Sequence, residues 1–97
     1  MSKFVDDNKA FWFSVKTGSV GFVAHSLAEL KLGFTEVPMK SLKFHMREDR
    51  NDFEAWLRNV IEDHETADKI RAIKERFDKG SLKGIALRKN LIKSVKV

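Results

Sequence analysis

The chain of 97 residues is 42% apolar, with eight Phe and two Trp. That is the composition of a folded protein and the length of one domain with a single core, burying about 60–65% of the surface its unfolded form exposes. It contains no Cys, which excludes disulfides, iron–sulfur clusters, Cys-ligated zinc and thiol nucleophiles. No run reaches the roughly 20 apolar residues of a membrane span. Met1-Ser2-Lys3-Phe4-Val5-Asp6-Asp7 lacks the apolar core of a signal peptide, so a soluble, cytoplasmic protein is expected.

The net charge of +5 is unevenly placed. Residues 1–78 carry 13 Lys+Arg against 14 Asp+Glu, whereas residues 79–97 carry Lys79, Lys83, Arg88, Lys89, Lys93 and Lys96 and no acid. The pattern predicts a balanced body with a basic terminal segment, and only that segment would attract phosphate or acidic protein surfaces. The chain is expected to form one domain over 1–97, with 1–9 flexible and 79–97 a basic amphipathic C-terminal segment.

In chain order, Phe11, Phe13 and Val15 alternate with Trp12, Ser14 and Lys16, the period of a strand. Thr17-Gly18-Ser19 and the apolar run Val20-Gly21-Phe22-Val23 complete a predicted β-hairpin, with Gly21 at a bulge or close contact. Ser26-Leu27-Ala28-Glu29 starts a helix, since the Ser hydroxyl can accept from the N–H three residues on while the Glu reaches back. Leu27 and Leu30 form its buried side, and Gly33 is expected to end it after about two turns. A loop over 34–38 follows, closed by Pro38, the only proline.

Ser41 to Arg47 fits both periods: Leu42, Phe44 and Met46 alternate, while Leu42, His45 and Met46 share a helical face. A short helix starting near Lys40 or Ser41 is the reading adopted. Asn51 or Asp52 caps the next helix, in which Phe53, Trp56, Leu57, Val60 and Ile61 form one stripe. The following apolar set, Ala67, Ile70, Ile73 and Phe77, is out of phase with it. A new helix is therefore predicted from Asp63 to about Asp78, before Gly80. From Leu82 to Val95, Ile85, Leu87, Leu91, Ile92 and Val95 oppose Lys89, Lys93 and Lys96, a basic amphipathic helix. The expected fold is α+β: an N-terminal hairpin packed on three to five short helices. Its expected core is Phe11, Phe13, Val15, Phe22, Leu27, Leu30, Phe53, Trp56, Leu57, Val60, Ile61, Ile70, Ile73 and Phe77.

The succession Ser26-Leu27-Ala28-Glu29-Leu30, Ser41-Leu42-Lys43-Phe44-His45-Met46-Arg47, Asn51-Asp52-Phe53-Glu54-Ala55-Trp56-Leu57, Glu62-Asp63 with Ala67, and Gly84-Ile85-Ala86-Leu87-Arg88 with Leu91 resembles a small domain family of unknown function from archaea and some bacteria. The resemblance covers most of the chain after Phe11. It implies a compact α+β module and no assigned activity, and the chain departs from it at Ile85 and Ala86, positions commonly acidic there.

The residues offer little to catalysis. His64 and Asp68 stand at i, i+4, but two ligands do not make a zinc site. His45, between Phe44 and Met46, is expected to be buried and to donate to a backbone carbonyl. Glu48, Asp49, Asp52 and Glu54 are interleaved with Arg47 and Arg50 and lack the central Gly of a calcium loop. None of the serines sits in an elbow motif, and Gly18, Gly21 and Gly33 are too scattered to cradle phosphate. The expectation is no enzyme, no metal and no cofactor.

A non-catalytic protein-interaction or regulatory module is expected instead, working through the hairpin or the last helix. The alternative is nucleic-acid binding by Lys79, Lys83, Arg88, Lys89, Lys93 and Lys96, with Trp12 and Lys16 as an aromatic interaction surface. An exposed hairpin edge is a further route to a homodimer. Attachment to a membrane surface is disfavoured because residues 82–97 contain no Trp or Phe.

Overall fold

Alternation in the first apolar run produces strand β1, Phe11–Val15, which pairs antiparallel with β2, Gly18–Ala24, in a computed structural model that describes residues 3–97. Lys16 and Thr17 form the turn, and Gly18, at φ +136°, takes the positive dihedral that returns the chain to the ladder. Phe11 pairs with Ala24 and Trp12 with Val23, but Ser14 pairs with Ser19. The register therefore shifts across Val20–Phe22, where Gly21 at φ +85° carries the bulge expected of it.

Helix α1, Leu27–Glu36, begins as its cap predicts: Ser26 Oγ accepts the Glu29 N–H at 3.2 Å, and Glu29 reaches back one residue beyond the cap to the His25 N–H at 2.8 Å. Gly33 does not end it. Gly33 is helical because the Phe13 ring lies against it, and a Cβ there would come within 2.4 Å of Phe13 Cε1. The helix consequently runs to Pro38's threshold and carries Phe34, expected in a loop, into the core. The ambiguous segment is helix α2, Met39–His45, with Leu42 and Met46 fully buried.

Helix α3, Asp52–Trp56, capped by Asn51, passes without a break into a π-helical turn, Leu57–Ile61. That wide turn and Glu62, in the left-handed region at φ 64°, shift the phase of the apolar pattern. Asp63 then caps α4, His64–Asp78, accepting from the Thr66 N–H at 3.0 Å. Helix α5, Ile85–Ser94, buries Leu87 and Leu91, and Val95 follows into the core, against α1 and α4. The basic segment is thus part of the globule. Ile85, expected on its apolar side, is exposed.

The fold is α+β: a two-stranded hairpin followed by five helices among the described residues. Its centre is aromatic. Phe11, Phe13, Phe34, Phe53 and the His45 ring interlock with centroids 4.7 to 6.3 Å apart, mostly edge-to-face or tilted. Of the expected core, Val15, Phe22, Leu27, Val60 and Phe77 are only half-buried. Val5, Val37, Leu42, Met46, Leu82, Leu87, Leu91 and Val95 join the buried set. In the 3–9 segment, Val5 is buried and donates to His25 O at 2.8 Å, Phe4 bridges to Ser26, and Lys9 O accepts the Trp56 indole N–H at 2.7 Å.

Candidate docking surface

Two of the three imidazoles are committed to internal contacts, and His64 is exposed. His45 is buried, but its hydrogen bonds differ from the expected donation to a carbonyl: Nε2 accepts the Ser14 N–H at 2.9 Å, so the proton resides on Nδ1 and is donated to Asp52 Oδ2, also at 2.9 Å. Burial holds its pKa below the ordinary imidazole value, against the pull of Asp52. His25 lies between Asp7 at 2.7 Å and Glu29 at 2.8 Å and stacks on Phe4; hydrogen bonds to Asp7 and then Glu29 raise its pKa. His64 does not pair with Asp68. Arg58 takes Asp68 at 2.9 Å and Glu54 at 2.8 Å, which ties the π-helical turn to α4, and approaches His64 Nδ1 at 3.5 Å. Among the described residues, no three His, Asp or Glu side chains converge as a metal site.

The basic residues of the last segment divide into three groups. Arg88 is turned inward and donates to the carbonyls of Phe34, Thr35 and Val37 at 2.7 to 3.1 Å, closing the C-terminal end of α1. Lys79 and Lys83 are exposed around the α4–α5 connection. Lys89, Lys93 and Lys96 are exposed and, with the half-buried Lys31 of α1, line a groove of about 520 Å³. Its floor is aliphatic, Ile92 and Val95, no Asp or Glu is among its lining residues, and Lys31 Nζ donates to Val97 O at 3.4 Å. A shallower hollow beyond Lys93 and Lys96 brings in Lys69.

Trp12 is half exposed and its indole approaches Asp7 O at 3.4 Å. Lys16 lines a different surface, which sequence reasoning missed. Lys16 and Thr17 of the hairpin turn face Lys40, Lys43, Phe44 and Arg47 of α2 and its end across a groove of about 430 Å³. Helical spacing supplied the signal: Lys40, Lys43 and Arg47 stand at i, i+3 and i+7. A further hollow, by the N-terminal segment, mixes Lys3 and Lys9 with Asp6 and Glu62 and has no single sign of charge.

Residues 4–96 match the family described as "Family of unknown function (DUF5752)". No curated protein and no solved structure matches the chain.

Proposed function

The chain belongs to this family of unknown function, and we propose that it is a non-catalytic, cytoplasmic interaction module that docks an acidic protein segment in the α5 groove. The observation that carries this reading is the lining: four lysines, Lys31, Lys89, Lys93 and Lys96, around Ile92 and Val95. A cationic rim steers an acidic partner and sets its register, while an apolar floor supplies affinity by burying its aliphatic side chains. The engagement of both His45 nitrogens removes the best-placed imidazole from acid–base work and supports a role without turnover. Among the described residues, no helix is long and apolar enough to cross a membrane.

The test is titration with a helical peptide bearing Glu on one face and Leu on the other, at low and moderate salt. The paired variant Lys89→Glu, Lys93→Glu is expected to weaken binding about tenfold, and Lys79→Glu, outside the groove, by less than about twofold. Absence of binding at low salt, or equal losses in both variants, would overturn the reading. Preferential binding of an oligonucleotide in this same groove would replace the acidic protein with nucleic acid as its occupant.

A further inference from the structure

The other basic groove is built differently, and the difference points to a different occupant. Helical folding of 39–45 gathers Lys40 and Lys43 on one side, with Arg47 just beyond, and the turn after β1 sets Lys16 and Thr17 opposite them. Among the described residues none of these four cations has a carboxylate within ion-pair distance. Glu48 lines the adjoining hollow with Lys16, Phe44 and Arg47. Like charges gathered without counter-charges repel one another and are relieved by a polyanion.

The floor is Val15 and Phe44. The Arg47 guanidinium lies 4.0 Å from the Phe44 ring centroid and is fixed there by donating to Phe44 O at 2.7 Å. The guanidinium held over the ring is a preorganised cation–π pair, and its remaining N–H groups are donors for phosphate. Where the α5 groove offers aliphatic side chains to an acidic peptide, this one offers π-faces to an unpaired base and ammonium groups to the phosphates beside it.

We propose that the groove between the hairpin turn and α2 binds single-stranded nucleic acid, with Lys16, Lys40 and Lys43 on the phosphates and the Phe44–Arg47 pair stacking a base. Duplexes fit it poorly, because their bases are already stacked and no helix projects from this recess to enter a major groove.

The experiment is fluorescence anisotropy with labelled oligo(dT) and oligo(U) from low to moderate salt, using the full chain. Binding is expected with a logarithmic salt slope of about −2, the value for three neutralised phosphates of a single strand. Lys40→Glu with Lys43→Glu, both at exposed positions, is expected to weaken it at least about tenfold. Lys89→Glu with Lys93→Glu is expected to change it less than about threefold, which separates this site from the α5 groove. Arg47→Lys, which keeps the charge and removes the plane, is expected to lose severalfold in affinity. Circular dichroism confirms the fold of each variant. No binding at low salt, indifference to the α2 reversals, tighter binding of duplex, unchanged affinity in Arg47→Lys, or displacement by a Glu-rich peptide at equal charge would each overturn the proposal.

Discussion

The Nε2 atom of His45 accepts the backbone N–H of Ser14 at 2.9 Å, and one helical turn earlier Ser41 Oγ donates to the Ser14 carbonyl at 2.8 Å. Two side chains of α2 thereby satisfy both main-chain groups of Ser14 in β1. They cover this part of the hairpin's outer edge as a third strand would. His45→Phe preserves an aromatic volume but leaves the Ser14 N–H and the Asp52 carboxylate without this partner. It is expected to cost about 1–3 kcal/mol, and Ser41→Ala about 1 kcal/mol. Urea unfolding of the single and double variants measures both, and the double is expected to be non-additive because the two bonds hold one residue.

The two paired imidazoles give opposite pH dependences. His45 has a folded pKa below its ordinary value of 6.5, burial being the main cause. The unfolded chain binds that proton more readily, so this contribution is complete above about 6.5 and is lost as the pH falls toward the folded value. His25 has a raised pKa, chiefly through Asp7 and Glu29; its contribution is complete below about 6.5 and is lost as the pH rises through the folded value. Between about pH 7.5 and 5.5, His25→Asn should therefore lose stability on acidification, whereas His45→Phe should gain it. Unfolding free energies across that range, with the same sign of slope in both variants, would contradict the assignment.

Gly33→Ala tests the packing of α1. In an ordinary helix interior the change adds about 1 kcal/mol of stability. Here the new methyl would sit 2.4 Å from Phe13 Cε1, and Phe13 is fully buried between other rings. A net loss of about 1–3 kcal/mol is expected, and a smaller one in a Phe13→Leu background, where the obstructing ring is absent. A rise in melting temperature for the single variant would show that the ring yields.

Arg88 and Lys89 are neighbours with separate roles. Arg88→Met removes the donor to three carbonyls at the end of α1 and is expected to cost about 2–3 kcal/mol. The exposed Lys89→Met should change stability by less than about 0.5 kcal/mol. Melting curves of the two variants decide it; equal effects would contradict the division.

The features set by local chemistry were legible in the sequence: the hairpin, the caps at Ser26, Asn51 and Asp63, the bulge at Gly21, and the phase break between Ile61 and Ala67. What escaped depends on tertiary contacts. Gly33 carries a terminator's signature, and only the Phe13 ring against it explains its place inside a helix. The phase break reads as two helices, but a π-helical turn leaves no composition of its own at Leu57–Ile61. Arg88 is indistinguishable in sequence from the lysines around it, although the fold spends it on main-chain carbonyls. The groove at α2 stayed hidden because its other wall, Lys16 and Thr17, belongs to the hairpin turn, and only the tertiary fold sets that turn against Lys40 and Lys43.

The most direct measurement of the central claim, an acidic partner held against α5, is amide and side-chain NMR mapping while the Glu/Leu peptide is added at low ionic strength. Shifts concentrated at Lys31, Lys89, Ile92, Lys93 and Val95, fading as salt is raised, are the result the account predicts. Shifts centred on any other face, or none at saturating peptide, would contradict it.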